Sequence, residues 1–119
     1  MKIKNQRKYC LTLDLIDNPE KITLYKNYHQ KVWPEINKSL KDSGIESAEI
    51  YCIGNRLFMI LEVDEQFSFD RKSEMDAKNP KVHEWEELMW NFQKALPNSE
   101  KGSKWMLMDK IYDLNKQAL

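Results

Sequence analysis

The stretch "IESAEIYCIGNRLFMILEV" (residues 45–63) decides the fold. Two apolar runs, 45–53 and 56–63, flank Gly54-Asn55, and a Gly-X pair between such runs predicts a two-residue β-hairpin. A helical pattern lies on either side of that hairpin, and a further strand lies beyond each helix. Upstream, "KYCLTLDLI" (8–16) alternates Tyr9, Leu11, Leu13 and Leu15 with Cys10, Thr12, Asp14 and Ile16, which is strand periodicity. "DNPE" (17–20) then offers a cap and a proline suited to the first helical turn. Ile22, Tyr25, His29, Val32/Trp33, Ile36 and Leu40 follow at three- and four-residue steps, predicting one long helix ended by Gly44.

Downstream, 64–78 is polar and aromatic and is expected to hold a short helix. Asn79-Pro80 caps a second long helix carrying Val82, Trp85, Leu88/Met89, Phe92 and Leu96, broken by Pro97. "KWMLMDKIYDL" (104–114) is the last strand. The order is β-α-β-β-α-β, the ferredoxin-like α+β arrangement: a four-stranded antiparallel sheet with helices on one face. "LFMILEV" and "WMLM" are apolar at both parities, so those strands call for cover on both sides. We therefore expect a homodimer with two sheets packed face to face, a dimeric α+β barrel, residues 1–119 forming its single domain.

Nineteen basic and nineteen acidic side chains cancel, with no block of like charge. That argues against nucleic acid and against a polybasic membrane patch as partners. The charged start "MKIKNQRK" and the short, alternating run behind it argue against a signal peptide or a membrane span. The expected location is cytoplasmic, and Cys10 and Cys52 are expected to be buried free thiols.

Two histidines carry most of the chemical interest. His83 in "VHEWEELMW" lacks the second histidine of H-E-x-x-H, so no metal site is expected. Three glycines leave no material for a phosphate cradle, and no cofactor is expected. His29 shares a face with Tyr25 and Trp33, spaced i, i+4 and i+8. Its imidazole, with an ordinary pKa of about 6.5, suits proton exchange near neutrality. Pro34 cannot donate to the carbonyl of Gln30 and disfavours helical geometry at Trp33, so a kink or restart is expected just beyond His29. Such a break could open a cleft beside the imidazole. On these residues alone two readings stand, a proton-transferring histidine and a core histidine satisfied by hydrogen bonds. Trp85, on the inner face of the second helix, is either core or a stacking platform for a sugar ring. Trp90 lies off that stripe.

"YKNYHQKVWPEI", "AEIYCIGNRLFMILEV" and "HEWEELM" together resemble the L-rhamnose mutarotase family in order and spacing, over roughly residues 7–114. The resemblance implies a dimeric α+β barrel that interconverts the anomers of a 6-deoxy-L-sugar without cofactor or metal. It implies His29 as the proton-transferring catalytic residue, and Tyr25 and Trp85 as substrate-binding residues. Two positions depart from the rhamnose-type pattern. Glu86 stands where a second tryptophan would, and Ala48 where a substrate-binding tyrosine would. Both argue against L-rhamnose itself, and the segments "EIYCIGNRLFMILEV" and "AKNPKVHEWEELMWNFQKALP" resemble the L-fucose branch, with Glu86 either accepting from a sugar hydroxyl or lying solvated on the surface. The alternatives are L-rhamnose as substrate, a non-catalytic sugar-binding or regulatory protein, and a small monooxygenase on the same scaffold.

Overall fold

The computed structural model describes residues 7–99 and 104–119. Among these, five strands and four α-helices run β1 (Arg7–Leu15), α1 (Pro19–Tyr28), α2 (Pro34–Asp42), β2 (Ile45–Ile53), β3 (Arg56–Val63), α3 (Phe69–Ala77), α4 (Pro80–Trp90), β4 (Gln93–Lys94) and β5 (Met106–Leu107). The hairpin forms as read, with Ile53 opposite Arg56 and Gly54 at φ +56° in the first turn position. The sheet is antiparallel in the order β2-β3-β1-β4, with β5 also paired to β1. This is the ferredoxin-like order.

The alternation in β1 sorts its side chains. Leu11, Leu13 and Leu15 are buried on the helix side, with Leu57, Leu61 and Val63 of β3 beside them. Tyr25, Ile36, Val82, Trp85 and Met89 descend from the helices onto this layer. Each large apolar side chain buried there contributes about 1.5–3 kcal/mol. The helix starts are set by local chemistry. Asn18, Ser68 and Asn79 each accept a backbone N–H of the following turn, and Pro19, Pro34 and Pro80 occupy first-turn positions. Gly44 ends α2 at φ +103° and lies so close to Asp64 that a Cβ would stand 2.5 Å from its Oδ1.

Four sequence expectations need correction. The single first helix is two helices: α1 stops at Tyr28, and Pro34 opens α2 with no side-chain cap from Trp33. The restart wins over the kink because the chain passes through a last turn at 29–30, with Gln30 N–H donated to the Asn27 carbonyl, and then leaves helical structure over 31–33. His29 and Trp33 are therefore not on one helical stripe. The second long helix ends at Trp90 and does not reach Leu96. Asn91 caps it through its side-chain N–H donated to the carbonyl of Leu88, and Phe92 accepts from Ile16 N–H, drawing the chain onto the sheet edge.

The last strand is also shorter than 104–114. The free edge of β1 is shared: Gln93–Lys94 pairs with Asp14–Leu15, and Met106–Leu107 with Leu11–Thr12. Beyond Met108 the chain leaves the edge, with Ile111 94 % and Tyr112 63 % exposed, because no described residue covers their side chains. Finally, the cysteines are free but not buried. Cys10 is half-buried on the far face of the sheet, and Cys52 is exposed near the end of the outer strand β2.

That far face carries Cys10, Thr12, Tyr51, Phe58 and Ile60, rimmed by the Lys8–Glu62 and Asp14–Arg56 ion pairs. Tyr51 is 54 % exposed, and Phe58 and Ile60 are half-buried. No helix among the described residues is long and apolar enough to cross a membrane.

Candidate active site

The break between α1 and α2 leaves His29 as the C-cap of α1, half-buried. The carbonyls of a last helical turn lack ordinary partners. The His29 ring takes one of them, with Nδ1 2.8 Å from the carbonyl oxygen of Tyr25. A carbonyl oxygen only accepts, so the proton sits on Nδ1 and the lone pair on Nε2. Burial pushes the imidazole pKa below its usual value, partly offset by that hydrogen bond. At neutral pH His29 is thus a neutral imidazole with Nε2 free to take a proton.

Aromatic rings pack around it. The Tyr25 ring lies 4.3 Å from the imidazole, and Trp85 meets it edge-on at 5.7 Å. Trp33, thrown off α1 by the break, instead braces Trp85 at 5.1 Å. Tyr25 is 3 % exposed, and burial pushes its phenol up to about 12, with the Gln93 hydrogen bond opposing and the Glu86 charge adding to the rise. It is a neutral hydroxyl across the physiological range.

These side chains border a cavity of about 410 Å³ between helices and sheet, within the range of small-molecule sites. Tyr25, His29, Trp85, Glu86 and Gln93 form its polar and aromatic wall. Ala48, Ile50 and Met59 floor it from β2 and β3, and Lys72 and Asp76 of α3, 2.5 Å apart, border it as well. The cavity therefore gathers all four residues singled out from sequence: His29, Tyr25, Trp85 and Glu86. Ala48 lines it too, leaving open the volume a tyrosine would fill.

Glu86 is not a freely solvated surface residue. Its carboxylate pairs with the ammonium of Lys104, which also donates to the Glu86 carbonyl at 3.0 Å. Lys104 in turn lies 4.7 Å from the centre of the Trp90 ring, so Trp90 is the cation-π platform that steadies this lysine. His83 faces the helix start, its Nε2 3.1 Å from the Ala77 carbonyl. No group of three or more His, Cys, Asp or Glu side chains is clustered for a cation among the described residues.

Sequence reasoning missed Gln93, Lys104 and the Lys72–Asp76 pair. The last reads as an ordinary i, i+4 helix pair, and a single glutamine or lysine in a polar segment carries no periodic signal.

The chain has relatives among known proteins. The family model for L-rhamnose mutarotase matches residues 8–114. The chain is 40 % identical over 114 residues to the L-fucose mutarotase of Xanthomonas campestris pv. campestris, covering 94 % of this chain and 91 % of that protein. It is 36 % identical over 116 residues to a UPF0734 protein of Dictyostelium discoideum, covering 92 % and 90 %. The crystal structure of an L-rhamnose mutarotase from Formosa agariphila shares the fold, with a TM-score of 0.67 at 22 % identity over 91 % of this chain and 98 % of that one. With the family model spanning nearly the whole chain and two relatives above one-third identity, this chain belongs to the L-rhamnose mutarotase family.

Proposed function

We propose that the chain is a cofactor-independent mutarotase that interconverts the α and β anomers of a 6-deoxy-L-sugar, with L-fucose the preferred substrate. The observation that carries the reading is His29, with Nδ1 committed to the Tyr25 carbonyl and Nε2 left as a base at the wall of a sugar-sized cavity. In the reaction, Nε2 takes the proton of the anomeric hydroxyl, and the bond from C1 to the ring oxygen breaks to give the open aldehyde. The imidazolium then returns that proton to the former ring oxygen. Both oxygens start on the same carbon, so one imidazole serves both. Rotation about C1–C2 presents the other carbonyl face, and the steps reverse. The neutral Tyr25 hydroxyl donates a hydrogen bond to the oxygen that carries charge, and Trp85 stacks on the sugar.

L-Fucose is favoured by the 40 %-identical relative, which bears that name, and by the pocket wall. Glu86 and Ala48 replace aromatic bulk with a carboxylate and open space, which suits a different arrangement of ring hydroxyls. The active unit is a homodimer, supported by the uncovered apolar face of Phe58, Ile60 and Tyr51.

The test is saturation-transfer NMR of α/β exchange on L-fucose, L-rhamnose and unrelated aldoses. Wild-type protein should accelerate L-fucose most, and His29→Ala should lose about 10²–10⁴-fold of that acceleration while keeping its fold. Wild-type exchange rates in a folded His29→Ala protein would remove His29 from the mechanism.

A further inference from the structure

Gln93 opens β4 beside Leu15 and is 6 % exposed. Its Nε2 donates to the Tyr25 hydroxyl at 3.4 Å, while its Oε1, fully buried, has no hydrogen-bond partner. It is the only such side-chain atom among the described residues. Buried polar atoms are ordinarily paired, and one that is not points to a partner that arrives later. Gln93 borders the same cavity as His29, Trp85 and Glu86. We propose that Gln93 is a substrate-binding residue, its carboxamide taking a hydroxyl of the bound sugar at one end while the other end holds the Tyr25 hydroxyl. The inference deepens the mutarotase reading and rests on it for the identity of the ligand.

In this orientation Nε2 donates to the Tyr25 oxygen, so the single phenol proton stays available to the sugar, and Oε1 is left to accept from a sugar hydroxyl. A carboxamide kept for stability alone would have both ends satisfied by protein. This one has a single end satisfied, on a residue that borders the cavity. The arrangement also links sugar binding to the orientation of Tyr25 and His29. Gln93 fixes the Tyr25 side chain, and the Tyr25 carbonyl fixes the His29 ring.

The experiment compares wild type with Gln93→Leu, and with Gln93→Met should the leucine variant not fold. Exchange rates are measured against sugar concentration for L-fucose and its monodeoxy analogues. The variant should melt within a few degrees of wild type and raise KM for L-fucose about tenfold or more. One deoxy analogue should lose the same factor with wild type and nothing further with the variant, which identifies the hydroxyl that Gln93 takes. An unchanged KM, or equal losses on every analogue, overturns the proposal. If wild-type protein accelerates no exchange, the mutarotase reading fails separately. Gln93 is then judged by the rise in Tm at high L-fucose. A rise in wild type that is lost in the variant upholds the assignment, whereas an equal rise in both, or none in either, overturns it.

Discussion

Tyr25→Phe removes one oxygen atom from the site and separates two roles that the residue combines. The hydroxyl lies in a residue 3 % exposed, and its bond from Gln93 is 3.4 Å long, at the weak end of the useful range. Its loss to stability is therefore near the lower limit for a net hydrogen bond, about 0.5–1 kcal/mol. For a chain of this size that is a fall in Tm of about 2–6 °C. The ring itself stays, with its contacts to His29 at 4.3 Å and Phe92 at 6.2 Å, so the imidazole keeps its position. The catalytic loss is expected to be larger, because a preorganised donor facing developing negative charge is worth about 10²-fold or more in rate. The assay is α/β exchange by saturation transfer beside a thermal melt. A second signature comes from pH. Burial pushes the phenol to about 12, so the wild-type rate should show no alkaline limb near 10. Wild-type exchange in a Tyr25→Phe protein with a slightly lowered Tm would make the hydroxyl a packing feature and refute the donor role.

Three other outcomes follow from the same geometry. His29 has a folded-state pKa below 6.5, so between that value and 6.5 the unfolded chain binds more protons than the folded one. Stability should decline as pH falls through that window, a decline that denaturant titrations of His29→Ala should lack, while kcat/KM of wild type should hold through 6.5 and drop only as pH nears the lower folded-state value. Gly44→Ala should cost about 2–4 kcal/mol in urea unfolding. A φ of +103° strains any L side chain, and the new methyl would displace the Asp64 carboxylate, which accepts the N–H groups of Gln66 and Phe67. A cost within error of zero would refute that account. Lys104→Met should destabilise by no more than about 1 kcal/mol, since the Glu86 carboxylate is half-exposed, yet it should raise KM for L-fucose by releasing Glu86 at the cavity wall; an unchanged KM would detach Glu86 from substrate binding.

The sheet and its order were legible because strand alternation and the Gly54-Asn55 turn are local signals whose meaning does not depend on distant partners. Leu11, Leu13 and Leu15 fall inside for the reason their spacing suggests. The ends of elements were less legible. The edge of β1 accepts two short strands in place of one long one, and nothing within 104–114 announces that Gln93–Lys94 has taken part of that edge. The same competition hid Gln93, whose importance comes from standing beside Tyr25 in space at a separation of sixty-eight residues.

Pro34 was legible as a disturbance, but its consequence needed the three-dimensional chain. A mere kink would have kept the backbone N–H of His29 as the full partner of the Tyr25 carbonyl. With the helix stopped at Tyr28, that N–H is shared between the carbonyls of Lys26, at 3.1 Å, and Tyr25, at 3.3 Å. The Tyr25 carbonyl is then open to a closer donor, and the imidazole Nδ1 occupies it at 2.8 Å. One proline that ends a helical run thereby selects the tautomer of the histidine five residues before it. The base on Nε2 is a consequence of where the helix stops.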